Sequence, residues 1–204
     1  GLDRISNNFV FDFLFPNPAS VLAFIENHDT DRFLGEGNNL PMLKQASTLL
    51  LTTRRIPQLY YGTEVMMNGV KSKSDGYVRK DFPGGWTGDA TNALTPAGRT
   101  KKQNECYDFY KTILNWRKGN DVIAIGSMVQ FMVQNGVYAY ARQYEGKTIF
   151  VMLNGTDAET TVPLKFYKEI LKDSKQGKDI LSGKAITFGE ELKMGPCESL
   201  VIEF

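Results

Sequence analysis

The chain has 204 residues, of which 42% are hydrophobic and 23% charged, and its formal net charge is +1. This composition is that of an ordinary globular protein, long enough for one medium domain or two small ones. The near-neutral charge favours neither nucleic acid nor an anionic membrane as a partner, and no apolar run approaches the roughly 20 residues of a membrane span. Cys106 and Cys197 lie far apart and outside any C-x-x-C pattern. We therefore expect no metal site and no cofactor, and leave a disulfide open.

The first half of the chain alternates strand and helix signals. VLAFI at 21–25 is a continuous apolar run, which predicts a strand buried on both faces. PMLKQASTLLLTTR at 41–54 predicts a helix, because Pro41 suits a first helical position. RIPQLYY at 55–61 is the next predicted strand. Together the three segments predict two parallel strands joined by a right-handed helical crossover.

A long irregular segment follows at 62–98. It is rich in glycine, and a loop of this length is usually functional or disordered. Aromatic side chains such as Trp86 argue against simple disorder. A helix is predicted near 100–118, and we assign Thr95 and Pro96 as its start signal.

From about residue 121 the pattern changes to short β-rich runs. The predicted strands are SMVQFMV, GVYAYARQY, KTIFVMLN, TTVPL, DILSG, AITFG and ESLVIEF. The predicted turns between them are Asn135-Gly136, Glu145-Gly146, Asn154-Gly155 and Ser182-Gly183. Regularly spaced short strands predict an antiparallel sandwich. We therefore place a domain boundary near Gly119–Asp121, which divides the chain into 1–119 and 120–204.

The single histidine of the chain, His28, lies in FIENHDTDR at 24–32, directly after the first predicted strand. In β/α barrels the functional groups cluster at the carboxyl ends of the strands, which makes His28 and Asp29 candidate site residues. Alone the pair is a weak signal, because Asn and Asp favour turns and a lone His-Asp pair is more often structural.

Three motifs, taken in order, resemble the α-amylase family of glycoside hydrolases. FIENHD resembles the strand-seven motif of the family, and IPQLYYGTE at 56–64 resembles strand eight. DGYVRKDFPGGW at 75–86 resembles the loop after strand eight in the neopullulanase and cyclomaltodextrinase branch. The helix near 100–118 resembles the last barrel helix, and the β-rich tail resembles the C-terminal sandwich. One departure is Arg55, where the family commonly has a glycine.

The resemblance implies a fold class of α/β plus all-β. Residues 1–119 would be the C-terminal part of a (β/α)8 TIM barrel, with strands seven and eight. Residues 120–204 would be an antiparallel β-sandwich domain.

The resemblance also implies a site. Family members cleave α-glycosidic bonds with retention through a nucleophile and an acid/base carboxylate, while a third carboxylate bonds sugar hydroxyls more strongly in the transition state. By resemblance Asp29 is this transition-state stabiliser, and His28 donates to hydroxyls of the same sugar. Asp75 and Arg79 are implied to bind sugar further along the cleft, with a loop-holding salt bridge as the equal alternative. Glu64 is predicted to accept hydrogen bonds from loop N–H groups.

The family's nucleophile motif, G-x-R-x-D, and its acid/base motif, an apolar run ending in Glu, are not found. Neither GLDR at 1–4 nor DTDR at 29–32 matches the first. We therefore expect a fragment of a retaining α-glucan hydrolase acting on α-1,4 bonds of maltodextrin, cyclodextrin or pullulan, itself inactive.

Two alternatives to this hypothesis stay open. One is a non-catalytic carbohydrate-binding or assembly module derived from an amylase. The other is a purely structural sandwich in which the Asn-His-Asp turn is incidental. In each case two strands cannot close a barrel, so exposed barrel edges predict pairing with a second copy of the chain. The resemblance is compatible with both the bacterial periplasm and the cytoplasm.

Overall fold

The computed structural model describes all residues, Gly1–Phe204. The helices are α1 (Leu2–Val10), α2 (Leu40–Thr52), α3 (Asp75–Val78), α4 (Lys101–Arg117), α5 (Asp121–Ile125) and α6 (Lys168–Leu171). Short 3-10 helices lie at Phe11–Leu14, Pro18–Ser20, Thr63–Val65, Pro96–Gly98 and Leu164–Tyr167. The strands are β1 (Leu22–Ala23), β2 (Ile56–Pro57), β3 (Ser127–Gln130), β4 (Val137–Tyr144), β5 (Lys147–Asn154), β6 (Thr160–Pro163), β7 (Gln176–Asp179), β8 (Ala185–Thr187), β9 (Glu191–Met194) and β10 (Ser199–Glu203). None of the helices combines the length and apolar character needed to cross a bilayer.

The predicted parallel strand pair is present but short. Leu22 pairs with Ile56 and Ala23 with Pro57, in parallel, and α2 lies between the two strands in the chain. The prediction of a strand buried on both faces is wrong, because Leu22 is 53% and Phe24 42% exposed. The physical reason is that β1 and β2 form a sheet of two strands, so nothing covers their outer face. These elements do not form a closed barrel.

The two long helices begin with side-chain caps. Asn39 caps α2 by accepting from the Met42 N–H, and a proline occupies the first turn as predicted. Thr100 begins α4 with a capping box: the Gln103 N–H donates to Thr100 Oγ1 at 3.2 Å, and the Thr100 N–H donates to Gln103 Oε1 at 2.8 Å. The helix predicted near 100–118 is confirmed, but the assignment of Thr95 and Pro96 as its start signal is wrong, because Thr100 caps the helix and 96–98 form a separate turn. The helices share a core of Leu40, Leu43, Leu51, Cys106, Tyr110 and Ile113.

The β-rich half is an antiparallel sheet, as predicted. Six strands lie in the order β3-β4-β5-β10-β7-β8, and β6 pairs with β9 in a separate two-stranded sheet. Asn135 and Gly136 have φ of 50° and 78°, the backbone that a tight hairpin between β3 and β4 requires. The predicted hairpin at Asn154-Gly155 is wrong, because β6 turns away from β5 and takes β9 as its partner.

Both faces of the six-stranded sheet are covered. One face packs against β6, β9 and α6 through a core that includes Ala139, Phe150, Met152, Tyr167 and Ile202. The other face carries Tyr138, Tyr140 and Val151, and meets side chains from α1, α2, α4 and α5. The sheet therefore faces a small sheet on one side and helices on the other. Because Leu49 and Trp116 pack on this second face, contacts cross the boundary near residue 119, and the division into 1–119 and 120–204 stays a prediction.

Candidate functional site

A polar turn follows β1 and carries the histidine. Asn27 Oδ1 accepts from the Asp29 N–H at 2.8 Å, and the Asn27 N–H donates to Thr30 Oγ1 at 3.0 Å. Such Asx bonding bends the backbone and directs the side chains of the turn outward. His28 Nε2 lies 3.1 Å from Asp29 Oδ2, and the two side chains are 58% and 59% exposed.

The four residues predicted from the sequence meet in one place. Arg79 Nη2 lies 3.1 Å from Asp29 Oδ1 and 3.4 Å from Asp75 Oδ2. Arg79 Nε also donates to the His28 carbonyl at 2.9 Å, across 51 residues of sequence. We call His28, Asp29, Asp75 and Arg79 the four-residue cluster. Their placement together follows from α3, which sets Asp75 and Arg79 one helical turn apart and faces them to the turn after β1.

The cluster is open to solvent and carries both signs of charge. Its ion-paired side chains are 40–59% exposed, so each pair contributes only about 0–1 kcal/mol to stability. Lys71 adds a second cation, with Nζ 2.9 Å from the Asp29 carbonyl and 3.6 Å from Asp75 Oδ1. The arrangement can accept and donate several hydrogen bonds, which suits a polyhydroxylated ligand.

A buried ion pair stands at the base of the same turn and was not predicted. Glu26 and Arg32 are 2% and 1% exposed, and Arg32 Nη1 lies 3.1 Å from Glu26 Oε1. Glu26 also accepts from the Phe33 N–H and from Thr63 Oγ1, each at 2.5 Å. Glu26 thus accepts a hydrogen bond from a loop N–H, which is the role that was predicted for Glu64. The positions of Glu26 and Arg32 on either side of the Asn-His-Asp turn are visible in the sequence, but nothing in the sequence indicates that the two side chains are buried.

Arg55, which stands where the family commonly has a glycine, also forms a largely buried ion pair. Arg55 pairs with both oxygens of Asp12, and Arg54 Nη2 lies 2.6 Å from Asp12 Oδ2. Asp12 is only 6% exposed. Burial by itself would raise the pKa of this carboxyl, but the hydrogen bonds from Arg55 and Arg54 outweigh it and hold the pKa below its usual value. Sequence reasoning missed Asp12, which ties the 3-10 turn after α1 to the segment before β2.

Two aromatic side chains of the segments after β2 are exposed, and the two cysteines do not pair. Tyr61 is 41% exposed and its hydroxyl donates to the Lys80 carbonyl at 2.6 Å, while Trp86 is 68% exposed and does not anchor its loop. Cys106 and Cys197 are free thiols, and burial raises the pKa of Cys106 to about 12. No group of three or more His, Cys, Asp or Glu side chains is arranged to hold a metal ion.

Comparison with known proteins gives consistent similarities. Residues 128–203 match the model of the cyclo-maltodextrinase C-terminal domain. The chain is 29% identical over 197 residues to an α-amylase of Niallia circulans, covering 93% of this chain and 32% of that protein. It is 31% identical over 188 residues to a cyclomaltodextrin glucanotransferase of Thermoanaerobacterium thermosulfurigenes, covering 88% of this chain and 24% of that one. The chain therefore spans a third or less of these relatives.

The fold is similar to that of solved enzymes. An Anoxybacillus α-amylase superposes with a TM-score of 0.78 over 99% of this chain and 42% of its own, at 21% identity. At this identity the likeness shows the fold alone.

Proposed function

Since this chain is a homologue of the C-terminal region of α-amylase-family enzymes, we propose that it supplies one corner of the active site of a retaining α-glucan glycosidase. In this proposal Asp29 is the transition-state stabiliser and His28 donates to hydroxyls of the same sugar. Asp75 and Arg79 bind the glucan further along the cleft. The substrate is an α-1,4-linked glucan such as maltodextrin, cyclodextrin or pullulan, and the neopullulanase-like branch is part of the proposal.

One observation carries the proposal. Two segments about 50 residues apart in sequence bring all four resemblance-derived residues within direct hydrogen-bonding reach. A coincidental Asn-His-Asp turn gives no reason for Asp75 and Arg79 to meet it. Clustering of functional groups after the carboxyl ends of parallel strands is the general arrangement of β/α folds.

The geometry suits the proposed chemistry. Asp29 Oδ1 and Oδ2 each have one close partner, Arg79 and His28, so each oxygen keeps a lone pair for a sugar hydroxyl. Bonds from hydroxyls to a carboxylate strengthen as positive charge develops on the sugar ring, so they favour the oxocarbenium-like transition state over the ground state. Arg79, held by Asp75, has further N–H groups that can donate to hydroxyls of the neighbouring sugar.

The other parts of the proposed reaction need groups outside the cluster. A retaining mechanism uses a nucleophile and an acid/base carboxylate about 5–5.5 Å apart. The sequence has no motif for either, so we propose that the 204-residue chain by itself does not hydrolyse glucans. We also propose that 1–119 is the C-terminal part of a TIM barrel and that 120–204 is its C-terminal sandwich.

Binding of maltotriose to the chain tests the proposed site. We expect weak binding, because part of a cleft buries only part of the sugar, and we expect Asp29→Asn to abolish it in an NMR titration. Glu159→Gln is the matched control, since Glu159 is also an exposed carboxylate in an ion pair, with Lys193 at 3.6 Å. Equal binding by wild type and Asp29→Asn would refute the role of Asp29. Tight binding that is insensitive to Asp29→Asn would instead indicate a separate carbohydrate-binding module.

A further inference from the structure

The ion pairs within the four-residue cluster are too weak to fix the relative positions of its side chains. Its ion pairs are about half exposed, and such pairs contribute little to stability because water and salt screen them. A site that must present Asp29 and Arg79 at a fixed separation needs support from buried groups. Two buried charged residues, Glu26 and Arg32, flank the turn carrying His28 and Asp29 in the sequence.

Arg32 bonds to both of the other segments that surround the turn. Its Nε donates to the Val78 carbonyl at 3.0 Å, in the residue directly before Arg79. Its Nη1 donates to the Tyr61 carbonyl at 2.7 Å, and the guanidinium carbon lies 3.9 Å from the centre of the Tyr60 ring. One planar group therefore joins the turn after β1, the segment after β2 and the end of α3.

Glu26 completes this arrangement from the other end of the turn. Its Oε1 accepts from Arg32 Nη1 and Thr63 Oγ1, and its Oε2 accepts from the Phe33 N–H. A carboxylate with these bonds compensates the charge of the buried guanidinium and holds it in one orientation. The pair thus fixes the ends of the turn relative to the backbone next to Arg79.

We propose that Arg32 is a positioning residue of this site, whose guanidinium sets the separation between Asp29 and Arg79. Lysine cannot replace it, because an ammonium group is a point charge without the planar fork that bonds Val78 and Tyr61 while stacking on Tyr60. The expected effect of an Arg32 substitution on sugar binding rests on the proposed function. The expected displacement of the turn around His28 does not depend on that function.

The experiment compares Arg32→Lys with Arg142→Lys in the full chain. Arg142 is also 1% exposed, and it donates only to backbone carbonyls of Thr52, Gly126 and Ser127. His28 is the single histidine, so its imidazole proton NMR signal reports on the turn without ambiguity. We expect Arg32→Lys to move this signal and to raise the Kd for maltotriose by about fivefold or more. Arg142→Lys is expected to lower thermal stability but to leave the His28 signal and the Kd unchanged.

The outcomes separate this proposal from the proposed function. A folded Arg32→Lys variant with an unchanged His28 signal overturns the positioning role. If wild type does not bind maltotriose, the proposed function fails, and the His28 signal still decides the positioning role. If Arg32→Lys does not fold, the His28 signal is measured in Thr63→Val instead. This substitution removes one of the hydrogen bonds that Glu26, the partner of Arg32, accepts. A shifted His28 signal in Thr63→Val supports the proposal, and an unchanged one overturns it.

Discussion

Removal of the Glu26 charge leaves Arg32 as an unpaired cation in the interior. We expect Glu26→Gln to be strongly destabilising, because the guanidinium is 1% exposed and cannot regain water without opening the fold. Breaking a buried pair by neutralising one partner costs about 3–5 kcal/mol. The amide keeps one oxygen for the Phe33 N–H or for Thr63, which places the expected loss toward the lower end of this range.

Urea and thermal unfolding followed by circular dichroism measure this loss. For a chain of this size about 1 kcal/mol shifts the Tm by roughly 2–4 °C, so a loss of about 3 kcal/mol lowers the Tm by roughly 6–12 °C. The matched control is Glu105→Gln, which breaks a pair with Lys44 in which the carboxylate side is 55% exposed. That variant is expected to lose only about 0–1 kcal/mol. Equal losses in the two variants would refute the argument that burial of Arg32 makes its partner essential.

Three further expectations follow from the structure. Because the pKa of Asp12 is lowered in the folded state, its ion pairs stabilise the fold above the unfolded value of about 3.9 and lose this effect as the pH falls through the folded value. Urea midpoints measured between pH 2 and 7 should fall in acid for wild type and fall less steeply for Asp12→Asn; identical slopes would contradict this. The exposed edges of the two-stranded sheet of β1 and β2 predict pairing with a second copy, and Leu22→Lys, at an exposed position of β1, should yield a monomer by light scattering, whereas a wild-type monomer at high concentration would contradict it. Maltodextrin incubated with the chain alone should release no reducing sugar, and any turnover abolished by Asp29→Asn would show that the chain is an active enzyme.

The long helices and the hairpin-forming strands could be predicted from the sequence. Their signals are local: Asn39 and Pro41 for α2, and Asn135-Gly136 for the first hairpin. The lengths of β1 and β2 could not be predicted, because an apolar run becomes a strand only where a partner strand is present to bond it. The polar strand β9 was missed, since its pairing with β6 depends on tertiary contacts.

The residues of the candidate site also fall into those that the sequence indicated and those that it did not. Motif order along the chain identified His28, Asp29, Asp75 and Arg79 as candidates, and the structure brings them together, while their binding of sugar stays a prediction. Glu26 and Arg32 could not be predicted, since isolated charged residues beside a polar turn are usually solvent-exposed. Their burial depends on Tyr60, Tyr61 and Val78, which approach only once the segments after β2 have folded over the turn.

A crystal structure of the chain soaked in concentrated maltotriose tests the central claim most directly. The account predicts a glucosyl ring seated on the four-residue cluster, with hydroxyl oxygens within about 3.2 Å of the Asp29 carboxylate and of an imidazole nitrogen of His28. A maltotriose molecule well ordered elsewhere on the surface, with no sugar at Asp29, would contradict it.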